Sequence, residues 1–117
     1  MNDILVVDDE PDICTLLKSI FEEDDCQVRV AVNSYEALKL MAEKEPDLVV
    51  LDIWLRNSDL DGIGILKTIT TGSNNVPVVI ISGHGNIEIA VEAVKLGAYD
   101  FIEKPFNTEQ IRLVKNR

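Results

Sequence analysis

Positive charge is scarce in this chain: 11 lysines and arginines stand against 21 aspartates and glutamates, a formal net charge of −10. A surface of that sign repels phosphate backbones and anionic headgroups, so direct binding to nucleic acid or to a membrane is not expected. Cysteine is almost absent. Cys14 and Cys26 have no metal-ligand spacing and are too few for a disulfide framework, so they read as small buried hydrophobes and fit a reducing cytoplasm. No apolar stretch approaches the roughly 20 residues needed to cross a bilayer, and Met1-Asn2-Asp3-Ile4 carries no basic segment ahead of its first apolar run. A soluble, unexported chain is expected. Repeats of solenoid length and low-complexity tracts are also lacking. Gly83 and Gly85 are without the further glycine and the lysine of a phosphate-cradling loop, and the pair reads as local flexibility. The sole histidine, His84, reads as a loop or capping residue rather than a phosphohistidine carrier or a catalytic base.

What is present is enough apolar sequence for one core: 117 residues at 46% hydrophobic content fit a single domain. Ile4-Leu5-Val6-Val7, Leu48-Val49-Val50-Leu51 and Val78-Val79-Ile80-Ile81 are continuously apolar and mostly β-branched, the pattern of strands covered on both faces. Between them, Ile13, Leu16, Leu17, Ile20 and Phe21 form one stripe behind Pro11, which predicts a helix near 10–23. Asn33 with Glu36 forms a capping box for a second helix, which Ala37, Leu38 and Met41 turn inward and Pro46 limits. Shorter strands are expected at Gln27–Ala31 and Tyr99–Glu103, with helices near 62–71, 87–96 and from Asn107, whose partner Gln110 completes another capping box. Five βα units in this order imply an α/β protein: right-handed crossovers and an open parallel sheet with helices on both faces. From Glu109 to Arg117 a helix is still in progress, without a glycine stop or a trailing proline, so an N-terminal piece of a longer protein is expected.

Sheets of this kind bind ligands outside the carboxyl ends of their strands. Asp8 and Asp9 follow the first strand, Asp52 the third, Ser82 the fourth and Lys104 the fifth, so all five converge on one edge. Asp8-Asp9 alone would read as a loop feature. Three carboxylates and one ammonium together leave a net charge of −2. Like charges at 4 Å repel by about 4 kcal/mol at an effective dielectric near 20, a cost that stability alone does not justify. A divalent cation relieves it, and oxygen ligands of this type suit Mg²⁺. Beside such a metal a carboxylate can attack a phosphoryl group, while the metal, a lysine and a hydroxyl stabilise the transferring oxygens. Asp52 is the natural nucleophile.

Leu5-Val6-Val7-Asp8-Asp9-Glu10, Val49-Val50-Leu51-Asp52-Ile53, Ile80-Ile81-Ser82-Gly83 and Glu103-Lys104-Pro105-Phe106 resemble the receiver domains of bacterial two-component response regulators, over essentially the whole chain 1–117. The resemblance implies a flavodoxin-like, doubly wound five-stranded parallel sheet of order 2-1-3-4-5. It makes Asp52 the phosphoacceptor, with Mg²⁺ held by Asp9, Asp52 and the backbone carbonyl of Trp54, and by Asp8 through a water. It further implies that Ser82 bonds the phosphoryl oxygens, that Lys104 pairs with them, and that Phe101 and Ser82 switch after phosphorylation. Lys104-Pro105 looks like the family's cis peptide. Ser82-Gly83-His84-Gly85-Asn86-Ile87-Glu88 and Gly97-Ala98-Tyr99-Asp100-Phe101 look closest to the NtrC class, and Asp52-Ile53-Trp54-Leu55 to its NtrX-like branch. Implied partners are a sensor histidine kinase and, downstream in a longer parent, ATPase and DNA-binding modules for transcriptional control. The chain departs from the family where Leu55-Arg56-Asn57-Ser58-Asp59-Leu60-Asp61 precedes Gly62: the loop is about two residues longer than usual and lacks the proline.

A Mg²⁺-dependent phosphatase of the haloacid dehalogenase type also uses an aspartate after a strand, but needs a second aspartate two positions on as acid and base; here Trp54 stands, which cannot transfer protons. A degenerate receiver serving only as an interaction module is countered by the intact set of five. No enzyme activity is expected beyond the domain's own phosphorylation and dephosphorylation. With no general base beside Asp52, the acyl phosphate should hydrolyse slowly enough to signal, and its added charge should bond Ser82 and Lys104 only once the fourth strand and its loop move inward. Trp54 reads as partly exposed packing and Arg56 as solvated. On the helix near 87–96, Ile87, Ala90, Val91 and Val94 read as the buried stripe, leaving Ile89, Ala93 and Leu96 as a partner or homodimer surface.

Overall fold

The computed structural model describes residues 3–55, 61–72, 76–83 and 87–115. Five strands alternate with five helices: β1 Asp3–Val7, α1 Pro11–Glu23, β2 Gln27–Ala31, α2 Ser34–Glu43, β3 Leu48–Asp52, α3 Gly62–Thr70, β4 Val78–Ser82, α4 Ile87–Lys95, β5 Asp100–Glu103 and α5 Thr108–Lys115. The strands form one parallel sheet in the order β2-β1-β3-β4-β5. This is the doubly wound, flavodoxin-like arrangement expected above, and its register decides what reaches the carboxyl edge. Val7 is level with Leu51, Asp52 with Ile81, and Ser82 with Glu103, so Asp8, Asp52, Ser82 and Lys104 all emerge within about one residue of one line. Asp52 and Ser82 are the last residues of their strands rather than the first beyond them.

The strand runs are continuously apolar because alternate residues feed two cores. Leu5, Val7, Val49, Leu51, Val78 and Ile80 pack with Ala37 of α2, Ile65, Leu66 and Ile69 of α3 and Ala93 of α4. Ile4, Val6, Val50, Val79 and Ile81 point the other way, onto Leu17, Ile20 and Phe21 of α1 and Ile111 and Val114 of α5. Cys14 and Cys26 are buried, unpaired members of this second core. No helix among the described residues is long and apolar enough to cross a membrane.

The helix starts follow the local chemistry. Asn33 Oδ1 accepts from the Glu36 amide at 2.9 Å, while the Glu36 carboxylate reaches one residue further back than the box predicts, to the Val32 amide at 3.0 Å. Asn107 and Gln110 cap reciprocally at 2.9 and 3.0 Å. α1 has no side-chain cap and starts on Pro11, whose missing N–H is one that a first turn leaves unbonded anyway. Asp61, which the sequence reading leaves in the loop, caps α3 by accepting from the Gly64 amide at 2.9 Å.

On α4 the expected faces are exchanged. Ala93 is fully buried and Ile89 and Leu96 pack on the first core, whereas Val91 and Val94 are each 47% exposed. Ala90 is buried as expected, and the side chain of Ile87 lies outside the described residues. Both stripes are apolar, so periodicity does not choose between them; Ala90 and Ala93, with nothing beyond Cβ, let the helix sit close on the sheet, and Ile89 and Leu96 flank that contact. The lengthened loop with Arg56, and His84, fall on residues 56–60 and 84–86, outside the described set.

At the amino edge of the sheet, a buried aspartate is fully paired. Arg29 donates from Nε to Asp3 Oδ1 at 3.0 Å and from its two terminal nitrogens to the carbonyls of Leu40 and Lys44, each at 2.7 Å. Lys44 Nζ lies 3.2 Å from Asp3 Oδ2. One guanidinium thus ties β1 and β2 to the end of α2. Arg29→Met keeps the stem and removes the fork; it should destabilise the fold by about 2 kcal/mol by leaving the Asp3 carboxylate and two helix-end carbonyls short of donors. Urea unfolding checks this, and a change within about 0.5 kcal/mol, the range of ordinary surface substitutions, would show the network to be dispensable.

Candidate functional site

Burial makes the carboxyl edge unusual. Asp8 and Asp52 are 1% and 4% exposed, the one just beyond the end of β1 and the other the last residue of β3. Asp8 Oδ1 accepts from the Glu10 amide at 2.9 Å, and Asp52 Oδ1 from the Trp54 amide at 3.4 Å. Asp8 Oδ2 is buried and accepts no hydrogen bond. Carboxylate oxygens of Asp8, Asp9, Glu10 and Asp52 all lie within 4.8 Å of one another. The Lys104 ammonium stands among them, 3.7 Å from Asp8 Oδ2, 3.7 Å from Asp52 Oδ2 and 3.4 Å from Glu10 Oε1.

The structure therefore brings Asp8, Asp9, Asp52 and Lys104 together, with the backbone at Trp54 bound to Asp52. Ser82 is buried at the end of β4, and its carbonyl accepts from the Lys104 amide at 2.7 Å, fixing where β5 delivers the lysine. The Lys104–Pro105 peptide is cis. Phe101 is not in the cluster: it pairs with Ile80 in the sheet and lies partly buried against the first core. The Trp54 side chain is 53% exposed.

Three features escaped the sequence reading. Glu10 joins the cluster, although its adjacency to Asp8-Asp9 was a usable signal. The Cys14 thiol donates to the Asp8 carbonyl at 3.3 Å, and burial followed by the nearby Asp8 and Asp9 charges pushes it up to about 11, so it stays protonated. At Gly62, a Cβ would come within 2.4 Å of the Asp52 carbonyl oxygen and of Ile53 Cα. The first turn of α3 thus presses on the backbone that carries Asp52, and only glycine permits that approach.

Electrostatics follow from this crowding. Burial, and next the charge of Asp8, push Asp52 up to about 7; Asp8 is raised as well, chiefly by burial. For Lys104 burial acts to lower the pKa, but Asp52, Asp8 and Glu10 outweigh it and hold the ammonium above its ordinary value. The site is an oxygen-only anionic cage with one buried, unbonded acceptor, which suits a hard divalent cation.

Residues 4–115 match the family described as the response regulator receiver domain. The chain belongs to that family. It is 50% identical over 115 residues to an NtrX-like response regulator of Rickettsia bellii, covering 98% of this chain and 24% of the relative. It is 51% identical over 116 residues to the nitrogen assimilation regulatory protein NtrX of Azorhizobium caulinodans, covering 99% and 26%. The crystal structure of the receiver domain of NtrX from Brucella abortus superimposes with a TM-score of 0.95 at 50% identity, covering 98% of this chain and 96% of that one. The chain spans about a quarter of the length of the curated relatives it matches. These similarities lie on the NtrX-like branch that Asp52-Ile53-Trp54-Leu55 suggests.

The raised Asp52 sets a pH dependence for the metal-free receiver. Between the ordinary carboxylate range and about 7, the folded domain keeps a proton that the unfolded chain releases. That contribution is fully present below the ordinary carboxylate pKa and is lost as pH rises through about 7. Asp52→Asn removes it. In EDTA, the variant should lose less melting temperature than wild type between about pH 5 and about pH 7.5, and should melt some 4 °C or more higher at the upper end. Parallel curves for the two proteins would show that the Asp52 carboxylate is not destabilising.

Proposed function

We propose that Asp52 is the phosphoacceptor of this receiver and that Asp8, Asp9 and Asp52 hold the Mg²⁺ its phosphorylation needs, together with the backbone carbonyl of Trp54. The observation that carries the reading is the buried, unbonded Asp8 Oδ2 within a cage of carboxylates that also contains the Asp52 side chain. When bound, Mg²⁺ supplies positive charge to the transferring oxygens. An Asp52 oxygen attacks the phosphorus, the bond from phosphorus to the donor breaks, and the donor leaves with the electron pair. Lys104 supplies an ammonium to the phosphoryl oxygens, and Ser82 a hydroxyl. Phosphate bound there rewards inward movement of β4, with Phe101 turning inward as the neighbouring aromatic of the switch.

The domain works as a signal carrier rather than as an enzyme turning over a substrate. A sensor histidine kinase in the cytoplasm is the donor, and residues 1–117 are the N-terminal receiver of a longer regulator whose ATPase and DNA-binding modules read the switch. The fourfold greater length of the relatives supports this. The face that α4 leaves exposed at Val91 and Val94, rather than Ile89, Ala93 and Leu96, is the surface we assign to a partner module or a second copy. With a surface of net charge −10, the receiver itself is not the part that touches DNA.

Incubation with acetyl phosphate and Mg²⁺, followed by intact-mass measurement, tests the assignment. Wild type should gain one phosphoryl group; Asp52→Asn should gain none, and EDTA should prevent the gain in wild type. Labelling of Asp52→Asn at the wild-type level would move the acceptor elsewhere.

A further inference from the structure

Among the described residues, the Lys104 ammonium hydrogen-bonds Glu10 at 3.4 Å and stands 3.7 Å from both Asp8 and Asp52. The contact joins residues 94 apart in sequence, from the turn after β1 to the turn after β5. The three carboxylates are unequally free. The Glu10 side chain is 46% exposed, whereas Asp8 and Asp52 are buried and each commits one oxygen to a backbone amide. The Glu10 backbone is itself anchored by its amide to Asp8 Oδ1, so the base of the side chain is fixed while the carboxylate can swing.

We propose that Glu10 is a positioning residue that holds the Lys104 ammonium in the unphosphorylated receiver and competes with the phosphoryl group for it. The proposal rests on the reading above that Asp52 is loaded and that Lys104 meets the phosphoryl oxygens. A cation among Asp8, Asp9 and Asp52 neutralises two of the lysine's partners and repels its charge. Glu10 is then the anion left to hold it. Loading requires the ammonium to leave Glu10, so Glu10 weights the switch toward its resting arrangement.

The test uses the whole chain as wild type, Glu10→Gln, Lys104→Met and the double variant. Beryllofluoride serves as the phosphoryl mimic in saturating Mg²⁺, followed by the fluorescence of Trp54, the single tryptophan, whose amide bonds Asp52. Glu10→Gln should bind beryllofluoride about three- to fivefold more tightly, the scale of a partly exposed ion pair, and the gain should vanish in the Lys104→Met background. A gain that persists without Lys104 overturns the proposal, since Glu10 would then act only by repelling the incoming anion. No gain in Glu10→Gln overturns it too. A loss of Mg²⁺ affinity beyond about tenfold in Glu10→Gln would make Glu10 a metal ligand, as its place among the four clustered carboxylates also permits, and would likewise overturn it. Independently of the lysine variants, the nitrogen-labelled ammonium signal of Lys104 in unphosphorylated protein should lose its protection from exchange in Glu10→Gln; an unchanged signal contradicts the hold. Failure of wild type to bind beryllofluoride at all would instead overturn the assignment of Asp52 as phosphoacceptor, and this proposal with it.

Discussion

The structure depends on a concentration of like charge that the fold itself creates. A parallel sheet delivers the residues after its strands to one edge, and here that edge receives Asp8, Asp9 and Asp52, with Glu10 beside them and Lys104 among them. Burial makes the Asp8 and Asp52 charges harder to hold, so Asp52 is pushed up to about 7, Asp8 is raised as well, and one oxygen of Asp8 is left without a hydrogen bond. On the function proposed for it, such a site takes up positive charge and is then remade by a new negative one.

The opposite edge of the same sheet is the internal comparison. Asp3 is as buried as Asp52, yet Arg29, Lys44 and the Asp47 region satisfy both of its oxygens and its amide. One end of the sheet is locked by a complete polar network and the other is left incomplete. The two apolar layers between them give the rigid frame against which a change at the carboxyl edge can be transmitted rather than absorbed.

Most of this fold was legible because its signals are local. Strands covered on both faces announce themselves as unbroken β-branched runs, and Asn33 and Asn107 cap helices through partners three residues away. The convergence of Asp8, Asp52, Ser82 and Lys104 was legible too, since parallel topology turns strand ends into neighbours. What failed to show in sequence was relational. α4 carries apolar residues on both sides, and only its seat on the sheet decides that Ala93 goes in and Val91 stays out. The pairing of Glu10 with Lys104 joins segments far apart in the chain, the pressure of Gly62 on the Asp52 backbone crosses a whole loop, and no periodicity records either.

If the acidic edge is held short of a cation, Mg²⁺ must stabilise the folded receiver. A ligand that binds only the native state contributes about 1.4 kcal/mol at ten times its dissociation constant, which for a domain of this size is a rise of several degrees. Thermal melts of the unphosphorylated protein in EDTA and across a Mg²⁺ titration measure it directly. The melting temperature of wild type should rise with Mg²⁺ concentration, and Asp9→Asn should largely abolish that rise. A melting temperature indifferent to Mg²⁺, or a full rise retained in Asp9→Asn, would contradict it.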